Sequence, residues 1–129
     1  EAGKKDAGVV VREPLASGLL RGNYAPLHEF PKDDHRRRWG PEKREADWQK
    51  VQLVQKTLGS KAQLLSKAAL EFALSHEAVS TVIPGAKTRT QVLQNVAASL
   101  QPDLDREDID RLGTLYAREE IFQKGLNPR

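Results

Sequence analysis

"TVIPGAKTRTQVLQN", residues 81–95, decides the fold because its character changes midway. Its first residues complete a β-branched run, Val79, Ser80, Thr81, Val82, Ile83, with the composition of a strand. Pro84 and Gly85 turn the chain, Lys87 and Arg89 make the turn cationic, and Thr88-Arg89-Thr90-Gln91 has the spacing of a capping box. Val92, Val96 and Leu100 then recur at helical spacing and predict a buried stripe. A glycine has no Cβ, so a ligand can approach the backbone closely at Gly85. The first amides of a helix carry partial positive charge, which suits a phosphate, and Lys87 and Arg89 add full charges beside them. Gln91 and Asn95 lie four apart, on one helix face, where both can hydrogen-bond a polar ligand edge. The bland alternative makes Gly85 only a turn and Gln91 only a cap partner; the residues alone leave both readings open.

Working outward, Gly8-Val9-Val10-Val11 is a second β-branched run with a buried-strand pattern, ended by Pro14. Residues 13–41, "EPLASGLLRGNYAPLHEFPKDDHRRRWGP", hold three of the nine glycines and four of the seven prolines, which marks a long irregular loop, functional or disordered. Four helices follow. The first runs from Pro41 to Leu58, with Trp48, Val51, Val54 or Gln55, and Leu58 inward and Gly59 as its stop. The second opens with Ser60-Lys61-Ala62-Gln63 as a capping box and turns Leu64, Leu65, Ala68, Ala69 and Phe72 inward. The third is the helix after Thr88. The fourth begins near Asp105, with acids in its first turn and Ile109, Leu112 and Tyr116 inward.

Strand, long loop, two helices, strand, two helices is an α/β order that requires parallel strands. The right-handed crossover rule places the strands side by side and sends Glu13 to Ser17 and Gly85 to Lys87 out at one end. Two strands do not close a sheet. The chain also opens at Glu1, inside what reads as the tail of a helix ending near Asp6, and it contains no methionine. These features predict a fragment of a longer protein.

Composition narrows the function classes. With 21 Lys and Arg against 18 Asp and Glu, the net charge of +3 is too small to argue for nucleic acid or anionic lipid. The absence of cysteine excludes disulfides and thiolate metal sites. No apolar run approaches a membrane span, and no signal peptide opens the chain, so a soluble cytoplasmic protein is the default expectation. His28, His35 and His76 share no ligand-like spacing and read as surface residues; no metal site is expected. The arginines of "HRRRW", residues 35–39, read as solvated or ligand-facing rather than as a nucleic-acid patch.

"VREPLASGLLRGNY", residues 11–24, followed by "VIPGAKTRTQVLQN", residues 82–95, resembles the C-terminal half of an aldo-keto reductase. The likeness covers nearly the whole chain and is nearest to bacterial members with an arginine before the Pro-Leu, which are related to the β subunits of voltage-gated potassium channels. It implies the C-terminal portion of a (β/α)8 TIM barrel, roughly the last three βα units, with the ligand at the C-terminal ends of the strands. It implies NADP as cofactor, NAD being possible, and a small carbonyl compound as substrate, reduced to an alcohol. The Pro-Leu loop would lie along the nicotinamide and pyrophosphate, a role for Arg12, Glu13, Pro14, Leu15 and Ser17. Gly85, Lys87, Gln91, Gln94 and Asn95 would hold the 2′-phosphate and adenine, with Arg89 beside them. Arg36 matches a loop arginine that folds over the pyrophosphate.

The family's Asp, Tyr, Lys, His tetrad comes from earlier strands, and none of its motifs occurs here, so no catalytic residue is assigned. Tyr24 and Tyr116 read as packing residues. By the same resemblance the partners are the remainder of the barrel or a further copy, with no nucleic acid and no membrane. The alternative is a non-catalytic nucleotide-binding or assembly module of the same descent.

Overall fold

The computed structural model describes residues 2–22, 25 and 29–123. Two strands, β1 (Val9–Arg12) and β2 (Val79–Ile83), pair in parallel as one two-stranded sheet. Partners run from Val9 opposite Val79 to Arg12 opposite Ile83, with an irregularity between Val9 and Val10 that leaves Ser80 as the extra residue. Gly8 permits this approach: a Cβ there would sit 2.3 Å from Ser80 Oγ. The parallel α/β arrangement is the one the element order requires.

Five α-helices stand among the described residues. They are α1 (Pro41–Leu58), α2 (Leu65–Leu74), α3 (Arg89–Leu100), α4 (Arg106–Arg118) and the short α5 (Glu120–Gln123). The bounds of α1 and β2 coincide with the sequence reading, and Gly59 is the C-cap of α1. The predicted opening helix is a single 3-10 turn, Gly3–Lys5, and the long loop contains two more, Ala16–Arg21 and His35–Arg38.

α2 is apolar almost all round because it serves two cores. On one side Leu65 and Ala68 join Leu19, Phe30, Val51, Leu58 and Leu112 between α1, α2 and α4. On the other, Leu70 joins Leu15 and Ala98, packed against Ala69 and Val82 of the sheet's covered face. Leu70, which the helical stripe did not include, is 1% exposed.

Four expectations are corrected. The Ser60–Gln63 box does not form: residues Gly59–Leu64 make a 3-10 segment without a side-chain cap, α2 starts at Leu65, and Leu64 is exposed. The stripe of α3 is inverted: Val92 and Val96 are about half exposed and Leu100 is 73% exposed. Its inner face is instead Gln91, Gln94, Asn95 and Ala98, since small Ala98 is what fits against Leu15 and Leu70. Tyr116 also faces outward, its ring 6.0 Å from that of Phe122. β1 is half-buried rather than buried: Val9 and Val11 are half-buried while Val10 and Arg12 are exposed, so only one face of the described pair is covered.

Polar staples join the helices. Asp105 caps α4 by accepting from Asp108 N, while Asp108 Oδ2 accepts from Asp105 N, a complete capping box. Asp108 also pairs with Lys61 and Arg111 and is 1% exposed. The Lys61 hydrogen bond is the largest cause holding its pKa to about 2, below the ordinary 3.8, against the opposing effect of burial. A depressed carboxyl pKa stabilises the fold above the unfolded value, and this contribution is lost as pH falls from 3.8 towards 2. Asp108→Asn should therefore cost about 1–2 kcal/mol near neutrality and flatten this part of the acid response. Urea unfolding between about pH 7 and about pH 2 checks it; a variant curve parallel to the parent's would contradict it.

Candidate cofactor site

Both loops that the sequence singles out leave the same end of the parallel pair, because Arg12 is registered with Ile83 and each strand ends there. One direct bond joins them: Arg21 Nη2 donates to the Gly85 carbonyl at 2.6 Å. Sequence gives no signal for this contact, since its partners stand 64 residues apart.

The first loop is strained. Glu13, Ala16 and Ser17 all adopt positive φ, at 51°, 47° and 55°, in a stretch of five residues. Non-glycine residues avoid this region, and such strain concentrates where a backbone is shaped for a ligand. The conformation is anchored from below. Leu15 is buried against Leu70 and Ala98, while the Ala16 and Gly18 amides donate to the Glu13 and Leu15 carbonyls, each at 2.9 Å. Leu15 therefore offers a ligand backbone rather than side chain. Arg12 and Glu13 are exposed, and Pro14 and Ser17 are half-buried.

Arg36 approaches the same loop from the 3-10 turn His35–Arg38. Its guanidinium grips Asp34 through Nε and Nη2, donates from Nη1 to the Ser17 carbonyl at 3.2 Å, and lies 4.4 Å from the Phe30 ring centroid. The Arg36 hydrogen bonds hold the Asp34 carboxyl well below the usual carboxylate range. Gly18 (φ +88°) makes room, for a Cβ there would stand 3.1 Å from Arg36 Nη1. Arg36 thus ties the loop together, and Asp34 neutralises its charge.

The second loop remains cationic. Lys87 and Arg89 are exposed, and their side chains form no hydrogen bond or ion pair with the described residues. Thr88 caps α3 by accepting from Gln91 N at 3.2 Å. Gln91 Oε1 reaches back to Lys87 N at 2.7 Å, one residue before the partner a capping box would give it. This leaves the Gln91 side-chain NH2 for a ligand. Gln94 and Asn95 share the inner face with Gln91, half-buried and without hydrogen bonds to the described residues. Nothing lies within 4 Å of where a Gly85 Cβ would be, so the approach to this turn is open.

Together these features fit an elongated polar ligand carrying phosphates. Open backbone at Gly85, a helix N-terminus, two unneutralised cations and a row of side-chain amides converge at one sheet end. A separate groove lies between α1 and α4 beside Lys56, Thr57, Arg106 and Arg118, but it is shallow, and Arg106 and Arg111 there are paired with Asp110 and Asp108. Tyr24 and His28 lie outside the described residues. Among the described residues no helix is long and apolar enough to cross a membrane.

Comparison with known proteins identifies the family. The Aldo/keto reductase family profile matches residues 2–117. L-glyceraldehyde 3-phosphate reductase of Escherichia coli O157:H7 is 28% identical over 122 residues, covering 88% of this chain and 35% of that protein. The enzyme of that name from Escherichia coli K12 is 30% identical over 99 residues, covering 70% and 28% respectively. An aldo-keto reductase from Bacillus halodurans, solved in its apo form, superposes with a TM-score of 0.60 at 26% identity, over 88% of this chain and 35% of that one. The chain spans about a third of the length of these relatives. With the family profile running through both loops and the parallel pair matching the barrel of a solved member, this chain belongs to the aldo/keto reductase family.

Proposed function

We propose that this chain forms the cofactor-holding, C-terminal part of an aldo-keto reductase barrel, an oxidoreductase that reduces small aldehydes or ketones to alcohols with NADPH. One observation carries the reading. The strained Glu13–Ser17 loop and the cationic Gly85–Arg89 turn leave one end of the parallel pair, and Arg21, four residues past Ser17, bonds the first segment to the Gly85 carbonyl. NADPH would supply the hydride. Arg12, Glu13, Pro14 and Ser17, with the backbone of Leu15, would line the nicotinamide and pyrophosphate, and Arg36 would hold that loop in shape. Lys87 and Arg89 would face the 2′-phosphate, whose added charge is what favours NADP over NAD. Gln91, Gln94 and Asn95 would hydrogen-bond the adenosine portion.

Proton transfer to the carbonyl would fall to residues outside this chain, so residues 1–129 act as one part of a larger domain. The outward stripe of α3, Val92, Leu93, Val96 and Leu100, and the exposed Val10 and Ile83 support further βα units packing there. The natural partner is thus the rest of the barrel. The reading expects the purified 129-residue chain to bind NADPH yet turn over no aldehyde. Turnover that copurifies with the chain through denaturation and refolding, free of host reductases, would contradict it.

A further inference from the structure

We propose that Arg21 is a cofactor-positioning residue that locks the Pro84-Gly85 turn and turns its remaining donors towards the diphosphate common to NADP and NAD, an inference that rests on the cofactor reading above. Arg21 closes the 3-10 segment Ala16–Arg21, directly before Gly22, whose φ of 82° bends the chain away. Its Nη2 donates to the Gly85 carbonyl at 2.6 Å, the one side-chain hydrogen bond between the two loops among the described residues. A trans peptide holds C=O and N–H antiparallel, so fixing the Gly85 carbonyl also fixes the direction in which the Ala86 amide is presented. That amide leads into the capped start of α3, where an anion is stabilised.

The guanidinium has donors to spare. Apart from the bond to Gly85, Arg21 forms no hydrogen bond or ion pair with the described residues. Among the described residues no acid neutralises it, in contrast to Arg36, which Asp34 holds. A guanidinium is a planar fork with several N–H groups, suited to a phosphate oxygen pair while one donor stays on a carbonyl. Arg21 also packs beside Gly18, its Cδ 4.0 Å from where a Cβ would be, so its stem lies along the loop assigned to the pyrophosphate. It therefore spans the two halves of the site at the place where a diphosphate would bridge them.

The test is calorimetric titration of the full 129-residue chain with NADPH and with NADH, comparing the parent with Arg21→Ala and Arg21→Lys. Arg21→Ala should lose about tenfold in affinity for both cofactors alike. Arg21→Lys keeps a single-point donor without the fork and should recover roughly a third to half of that loss on a logarithmic scale. Should Arg21→Ala fail to fold, Arg21→Lys carries the test with an expected loss of about three- to fivefold on both. A parent that binds with Arg21→Ala unchanged would overturn this inference and leave the cofactor reading standing. A loss confined to NADPH would also overturn it, placing Arg21 at the 2′-phosphate. A folded parent that binds neither cofactor would remove the cofactor reading and this inference together.

Discussion

Replacing Lys87 and Arg89 together by alanine should weaken NADPH binding about ten- to a hundredfold while leaving NADH within about twofold. Both side chains stand in solvent beside the N-terminus of α3 with no partner among the described residues, so their removal breaks no internal bond. A charge-assisted hydrogen bond to a phosphate is worth roughly 1.5–3 kcal/mol, and only NADPH has the 2′-phosphate. Gln91→Ala should behave differently. Its side chain holds the Lys87 amide at 2.7 Å, so losing it loosens the turn beneath any adenosine and should weaken both cofactors. Fluorescence or calorimetric titration separates the two patterns. Equal losses for NADPH and NADH in the double variant would mean that Lys87 and Arg89 serve the helix or the solvent.

The largest expected effect on stability comes from Glu71→Ala, at about 3 kcal/mol. Glu71 is buried on α2, and its Oε2 accepts from the Asp103 and Leu104 amides at 3.0 and 2.9 Å, fixing the segment between α3 and α4. Its Oε1 makes no further hydrogen bond and faces the Lys67 ammonium at 2.6 Å, while Lys67 also reaches Asp103 at 2.5 Å. Burial opposes the charged form of Lys67, but the hydrogen bonds to Asp103 and Glu71 outweigh it and raise the pKa. Alanine would strand two amides and weaken the support of a buried cation. Glu71→Gln keeps an acceptor for the amides and should cost about half as much. Urea unfolding of both variants checks the ordering; losses that are small and equal would show that water replaces the carboxylate freely.

The contrast between α1 and α3 shows what the sequence could and could not reveal. The limits of α1 were legible because Pro41 and Gly59 punctuate a long periodic run. On α3 the apolar stripe was equally clear, yet it faces outward. Periodicity finds a stripe, but what packs against it decides which way it turns, and here the polar row of Gln91, Gln94 and Asn95 faces in. The same limit applied to Leu70: α2 is apolar on several sides, so no single stripe could select it. Local chemistry was legible at Thr88, whose side chain caps α3 through Gln91, although the return half of the box goes to Lys87 instead, and at Asp105, near which α4 starts. At Ser60 the same motif failed because the chain first makes a 3-10 segment. The residues proposed for the cofactor were suggested by two motifs, whereas the bond between those motifs depends on a register of strands that no local pattern encodes.

The most direct test is a ¹⁵N–¹H correlation spectrum of the labelled 129-residue chain titrated with NADP. The account predicts progressive shifts at the amides of Ser17, Gly85, Ala86, Lys87, Gln91 and Asn95, with α4 unmoved. An unchanged spectrum of the folded chain, or shifts centred on the groove between α1 and α4, would contradict it.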